Sequence, residues 1–246
     1  SYGWQVTGRI DGTETEAECC HPLPRPFGRG SMDLGVVQTY ALMARTAWTY
    51  IASGALRRLM RLRKGPVIAA LYPVGMLILQ GLVALGLGAV AAALSALLMR
   101  WLMELLAPGI SLGGKQWLAA IAIGGLAATA LLQWFRKIDN KLYVYYLMHD
   151  YSYSAQSRGA NPPELEARMA LFADQIAEAL NSDVDEVLVV GHSSGAHLGV
   201  SILADLLRDG RLPPGGPKLG FLSLGQVVPM VSFLAQAHRL RRDLHD

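Results

Sequence analysis

Cysteine is nearly absent: the 246-residue chain holds two, and they are adjacent, Cys19 and Cys20. Neighbouring cysteines cannot build a disulfide framework, which excludes a secreted, disulfide-stapled scaffold. Charge is scarce as well, at 17% of residues against 52% hydrophobic. That balance excludes a disordered chain and is too apolar for an ordinary soluble domain. The net charge is +3, but the basic residues are clustered, so their placement says more than their sum. Nothing in the pattern resembles a nucleic-acid module. Cys19-Cys20-His21 has no matching second ligand pair, so neither a metal nor another cofactor is expected. What remains is a membrane protein with a globular part.

The chain opens Ser1-Tyr2-Gly3-Trp4 without an initiator Met, and the expectation is a piece of a longer protein. Trp4–Thr7 and Thr13–Cys19 read as two strands about Asp11-Gly12. His21-Pro22-Leu23-Pro24-Arg25-Pro26 then excludes a helix, because three prolines remove donors and fix φ. From Asp33, with Ser31 or Asp33 as cap, to Lys64 the sequence is helical and interfacial, ending in Arg57, Arg58, Arg61, Arg63 and Lys64. Such a cluster beside an apolar span attracts anionic lipid headgroups, at about 1 kcal/mol per side chain.

Residues 65–99 form a run of 35 without a charged side chain, and residues 116–135 a second of 20. A bilayer core requires about 20. Pro108, Gly109, Gly113 and Gly114 turn the chain between them, and Trp101, Trp117 and Trp134 flank the runs as interfacial rings do. A transmembrane hairpin follows, with spans at about 74–98 and 116–135. Ala84, Gly88, Ala92 and Ala96 recur every four residues, as do Ala120, Gly124 and Ala128. This spacing is either a close-packing stripe or simple Ala/Gly richness. Five basic residues before the first span and Arg136, Lys137 and Lys141 after the second outnumber Arg100 and Lys115 in the turn. The positive-inside rule then places both flanks in the cytoplasm.

Residues 142–153 are aromatic and read as helix or strand; His149-Asp150 within them point apart on either element. Asn161-Pro162-Pro163-Glu164 starts a helix to about Asn181, with Leu165, Met169, Phe172, Ile176 and Leu180 on its apolar face. Val187-Leu188-Val189-Val190 is a continuous apolar run, as a strand buried on both faces requires. Gly191-His192-Ser193-Ser194-Gly195 follows, and helical periodicity resumes over residues 196–208. A sharp strand-to-helix turn exposes the hydroxyl at its apex and puts the next N–H at a helix N-terminus. Gly191 and Gly195 flank the apex where side chains would collide, and Gly199 keeps the helix close to the sheet.

The segment Leu188–His197 resembles the nucleophile elbow of the α/β-hydrolases, the lipase and esterase superfamily, and Phe221–Gly225 looks like that fold's next parallel strand. The whole chain resembles poorly characterised bacterial membrane hydrolases with a transmembrane hairpin inside the hydrolase domain. The likeness covers residues 140–240 well and 1–140 mainly through hydropathy. It implies Ser193 as nucleophile and the Ser194 N–H as oxyanion donor. The implied fold class is α/β, a partial α/β-hydrolase parallel sheet with an inserted transmembrane helical hairpin. The regions are then 1–32, a strand and loop of the hydrolase domain; 33–64, the basic interfacial helix; 65–137, the hairpin; and 138–246, the hydrolase core.

His192 and His197 read as structural. The late histidines, His238 and His245, fall in Val231–Asp246, which reads as a basic amphipathic helix without a strand to carry an acid. The expected activity is that of a membrane-anchored serine hydrolase acting on a small-molecule or lipid-linked ester or thioester. The alternatives are a non-catalytic membrane scaffold and an acyltransferase. After Ser193 two further strand–loop units do not fit, so the catalytic acid and base are expected to be missing and the chain nearly inactive.

Overall fold

The computed structural model describes residues 2–10, 13–21, 35–106 and 114–246. The chain forms two compact units, Leu34–Arg158 and a second made of Ser1–Asp33 with Gly159–Asp246.

The unit of Leu34–Arg158 is helical. Helix α1 is Val36–Ala52, α2 Ala55–Leu62, α3 Lys64–Ala70, α4 Tyr72–Leu106, α5 Lys115–Lys137, α6 Asp139–Leu142 and α7 Val144–Gln156. The expected single helix to Lys64 is therefore broken twice. Gly54 takes φ +69°, a left-handed conformation that glycine adopts without steric cost, and Arg63 is extended. The proposed caps Ser31 and Asp33 lie outside the described residues; at the start of α1 the Gln38 side chain accepts the Gly35 N–H. Helix α4 exceeds the expected span at both ends: it starts at Tyr72 with Pro73 in its first turn, where a missing N–H costs nothing, and runs on through the Arg100–Glu104 pair to Leu106. Residues 142–153, open between helix and strand, are helical. The Asp139 carboxylate accepts the N–H groups of Val144, Tyr145 and Tyr146 and so caps α7.

The two long helices α4 and α5 meet through their small residues. A Cβ on Gly88 would lie 2.8 Å from the Gly124 carbonyl, and one on Gly124 would lie 2.5 Å from the Gly88 carbonyl. Gly88 also faces Ala128 while Gly124 faces Ala92, the crossed pattern of antiparallel helices. The stripe is a packing surface. Both helices are long and apolar enough to cross a membrane. Leu82, Leu85, Leu94, Leu118 and Leu126 on their outer faces are exposed. The Pro108–Gly113 turn lies outside the described residues.

The second unit holds the strands. Strands β1 (Tyr2–Ile10) and β2 (Thr13–His21) pair antiparallel, from Tyr2 opposite His21 to Ile10 opposite Thr13. The Asp11-Gly12 turn and the proline-rich loop after His21 lie outside the described residues. Helix α8 (Pro163–Leu180) buries Leu165, Met169, Ala173, Ala177 and Leu180, with Phe172 and Ile176 half-buried beside them. Its N-cap is Pro162, and the preceding Asn161 directs its amide toward the Met169 sulfur. Strand β3 (Glu186–His192), helix α9 (Ser194–Arg208) and parallel strand β4 (Lys218–Leu224) follow. The core lies between α8 and α9, around Met169, Ala173, Ile202 and Leu206.

The expected fold class is corrected here. The described residues are mostly helical, with four strands in two two-stranded sheets, rather than a partial α/β-hydrolase parallel sheet. Another parallel strand needs a crossover of a dozen or more residues. The residues after β4 instead form the short helices α10 (Val228–Ser232) and α11 (His238–Asp243). The expected burial of β3 on both faces is corrected as well. Its exposure alternates, and Leu188 and Val190 are 55% and 53% exposed on the face opposite α9.

The continuous helix expected over Val231–Asp246 is also replaced, by α10, a break and α11. The Arg241 guanidinium donates to the carbonyls of Ser232 and Leu234 at 2.7 and 2.8 Å and holds the break. The basic face is an internal ion-pair network. Arg239 pairs with Glu166 and Asp205, and Arg208 reaches Asp243 at 2.8 Å and Asp246 at 2.6 Å.

Candidate active site

The candidate site is the single residue between β3 and α9. Ser193 has φ +53° and ψ −117°, a combination that costs a non-glycine residue about 1–3 kcal/mol and persists only where the surroundings enforce it. Those surroundings are identifiable. The Ser193 N–H donates to the Leu224 carbonyl at the end of β4, at 2.9 Å, which extends the parallel ladder one residue past β3. The Ser193 carbonyl accepts the Ala196 N–H at 3.1 Å and starts the helix. The apex is held from both sides.

Gly191 is required for this turn. A Cβ there would lie 2.8 Å from the Gly195 carbonyl and 2.9 Å from the Ala196 Cα. Gly199 is required one turn later, where a Cβ would meet the Phe221 ring at 2.7 Å, so α9 rests directly on β4. Gly195 is different: a Cβ there would meet nothing within 4 Å, so the expected collision does not occur. Ser194 is the first residue of α9, and its N–H belongs to the positive end of a 15-residue helix. Ser193 and Ser194 are both half-buried. Gly191, Ser193, Ser194 and Gly195 thus share one strand-to-helix turn, in which Gly191 but not Gly195 is held to glycine by its neighbours.

The histidines separate. His192 is exposed at the end of β3. His197 is 7% exposed, its Nδ1 has no hydrogen-bond partner, and burial pushes its pKa down to about 4. His238 is exposed with its Nδ1 3.1 Å from an Arg241 guanidinium nitrogen. His245 is exposed beside Asp246 at 3.8 Å. His149 and Asp150 lie next to each other on α7, in the other unit, where Asp150 neighbours Tyr50 and Tyr151. Cys19 is a free thiol on β2.

Sequence reasoning placed Gly225 at the end of a strand, whereas β4 stops at Leu224. Gly225 has φ +54°, follows β4 directly, and a Cβ there would lie 3.9 Å from His192 Nε2. The signal for that conformation was a glycine just past a short apolar strand. Compared with protein-family models, curated proteins and solved structures, the chain matches none.

Proposed function

We propose that this chain is a membrane-anchored serine hydrolase acting through an acyl-serine at Ser193 on an ester or thioester. The observation that carries the proposal is the strained backbone of Ser193, fixed between two parallel strand ends and a helix start. In the reaction the Ser193 oxygen would add to the carbonyl carbon and pass its proton to solvent water, because the chain is expected to lack the catalytic base. The leaving alcohol or thiol departs with a proton, and water then releases the acid. The Ser194 N–H would donate to the carbonyl oxygen as charge develops on it.

The chain would sit in the bilayer through α4 and α5, with both flanks cytoplasmic. Arg57, Arg58, Arg61, Arg63 and Lys64 are all exposed and would lie against anionic headgroups. Anchoring favours a substrate that partitions into the membrane. The engagement of His238 with Arg241 favours a second reading, a membrane scaffold without catalysis.

Fluorophosphonate labelling of the full chain in detergent separates the two. Labelling lost in Ser193→Ala supports the nucleophile; equal labelling of both proteins removes it. For orientation, Cys19 and Cys20 are replaced by serine and single cysteines placed at Gly114 or Ser157. Reaction of the first alone with an impermeant thiol reagent added outside cells supports the cytoplasmic assignment, and the reverse pattern overturns it.

A further inference from the structure

Helix α1 is turned inside out. Thr39 and Thr46 are buried, while Val37, Trp48 and Ile51 are 82%, 70% and 58% exposed. Val37, Ala41, Ala44, Trp48 and Ile51 are all exposed and recur every three or four residues, so they form one apolar stripe along the helix. A helix packed in water buries such a stripe and leaves its polar residues outside. A single exposed apolar residue is ordinary, but a continuous stripe marks a surface that something covers.

The inner face shows where α1 sits. The Tyr40 hydroxyl donates to the Leu77 carbonyl of α4 at 2.7 Å and would lie 3.4 Å from a Cβ on Gly81. Tyr40 and Met43 also pack against the buried cluster of Leu77, Val144, Tyr145 and Met148. Helices α4 and α5 cross at Gly88 and Gly124, and Gly124 lies near the middle of the charge-free residues 116–135. At about 1.5 Å per residue, Gly81 is about 10 Å and Leu77 about 16 Å from the crossing, on the Arg136 side, and tilt brings both closer. The hydrocarbon of one leaflet is about 15 Å thick. With α4 and α5 in a bilayer, Tyr40 thus holds α1 at the outer edge of the acyl chains. At the same level Ile78, Leu79 and Leu82 of α4 are exposed, so the α1 stripe continues the lipid-facing surface of the hairpin.

Charge selects the occupant. Arg45 is the sole charged residue of α1, and it is exposed between Ala41 and Trp48. A second protein laid on the stripe would take that guanidinium out of water. At the edge of a leaflet the same side chain reaches the headgroups on its aliphatic stem, and a tryptophan ring favours the same boundary.

We propose that α1 is a third membrane-embedded element, a helix lodged in the leaflet on the Arg136 side with its Val37–Ile51 stripe against acyl chains. This placement rests on the membrane reading of α4 and α5 and not on Ser193.

The test puts nitroxide labels on single cysteines of the full chain, with Cys19 and Cys20 replaced by serine, in vesicles of phosphatidylcholine and phosphatidylglycerol. Val37→Cys, Ala41→Cys, Trp48→Cys and Ile51→Cys sample the stripe, Leu85→Cys the hairpin, and Glu178→Cys water. Power saturation reads collision with oxygen, which concentrates in acyl chains, and with a polar nickel chelate, which does not. The oxygen-to-nickel ratio along the stripe is expected to be about fivefold or more above that at Glu178, because the bilayer core holds no water. Ala41→Cys and Ile51→Cys decide alone if Trp48→Cys does not fold. A ratio like that of Glu178 at either end of the stripe, with Leu85 still high, puts that end in water and overturns the placement of α1 alone. Little collision with either reagent means that protein, such as a second copy, covers the stripe, and overturns it too. A low ratio at Leu85 removes the membrane reading of the hairpin and the placement with it.

Discussion

The α4–α5 hairpin and the β3–α9–β4 segment both expose large apolar side chains, but with different consequences. In the hairpin the backbone bonds are satisfied within each helix, so its bare Leu and Ile surface is compatible with hydrocarbon. In the two-strand sheet, Leu188, Val190, Leu222 and Leu224 are bare on one face, and among the described residues neither strand has a second neighbour on its outer edge. Such an edge does not tolerate lipid and is a template for association in water. Equal apolarity thus means membrane compatibility where the backbone is closed and vulnerability where it is open.

The sharpest way to break the comparison is at the helix crossing. Gly124→Ile should destabilise the hairpin by about 3 kcal/mol, because the nearest atom to the new Cβ is a backbone oxygen that cannot rotate away. Gly125→Ile, with nothing within 4 Å of its Cβ, should be nearly neutral. Thermal unfolding in detergent reads both, and equal losses would show that the stripe does not pack.

A comparable effect should appear on the strand side with pH. Burial holds His197 at about 4, below its ordinary 6.5, so the unfolded chain binds a proton that the folded chain refuses. Stability is then complete above pH 6.5 and falls as the pH is lowered toward 4, by up to about 3 kcal/mol. His197→Leu should flatten that limb of a Tm-against-pH curve. An unchanged slope would place the titration elsewhere.

A smaller effect is expected at the apex itself. Ser193→Gly relieves the left-handed strain and should stabilise the protein by about 1 kcal/mol while abolishing fluorophosphonate labelling. Ser193→Ala should lose the label without that gain. A Ser193→Gly protein no more stable than Ser193→Ala would mean that the conformation carries no strain.

The smallest effect lies on the open sheet face. Leu188→Thr should change stability by no more than about 0.5 kcal/mol, yet reduce aggregation in light scattering, since it removes an exposed apolar group from a strand that keeps its β-propensity. A large loss of stability would show that the face is covered in solution.

Legibility differed between these regions for physical reasons. The two long helices follow from charge-free length, and the strand–turn–helix at Ser193 from one apolar run, two small residues and resumed helical periodicity. Both depend on residues within a few positions of one another. The C-terminal segment misled because its arginines pattern as a solvated or membrane face, whereas Arg239 turns onto Glu166 and Asp205 and Arg241 onto the carbonyls of Ser232 and Leu234.

By itself, then, the sequence determined the two long apolar helices, the strand–turn–helix and which residue occupies its strained apex, because backbone sterics and hydrophobic periodicity are local. Tertiary structure alone decided that Gly88 meets Gly124 while Gly86 and Gly125 face open space. It alone decided that β3 is covered on one face only, and that the Tyr40 hydroxyl reaches the Leu77 carbonyl. Each of these depends on the face an element turns toward a partner many residues away, and composition within the element is nearly the same on either face.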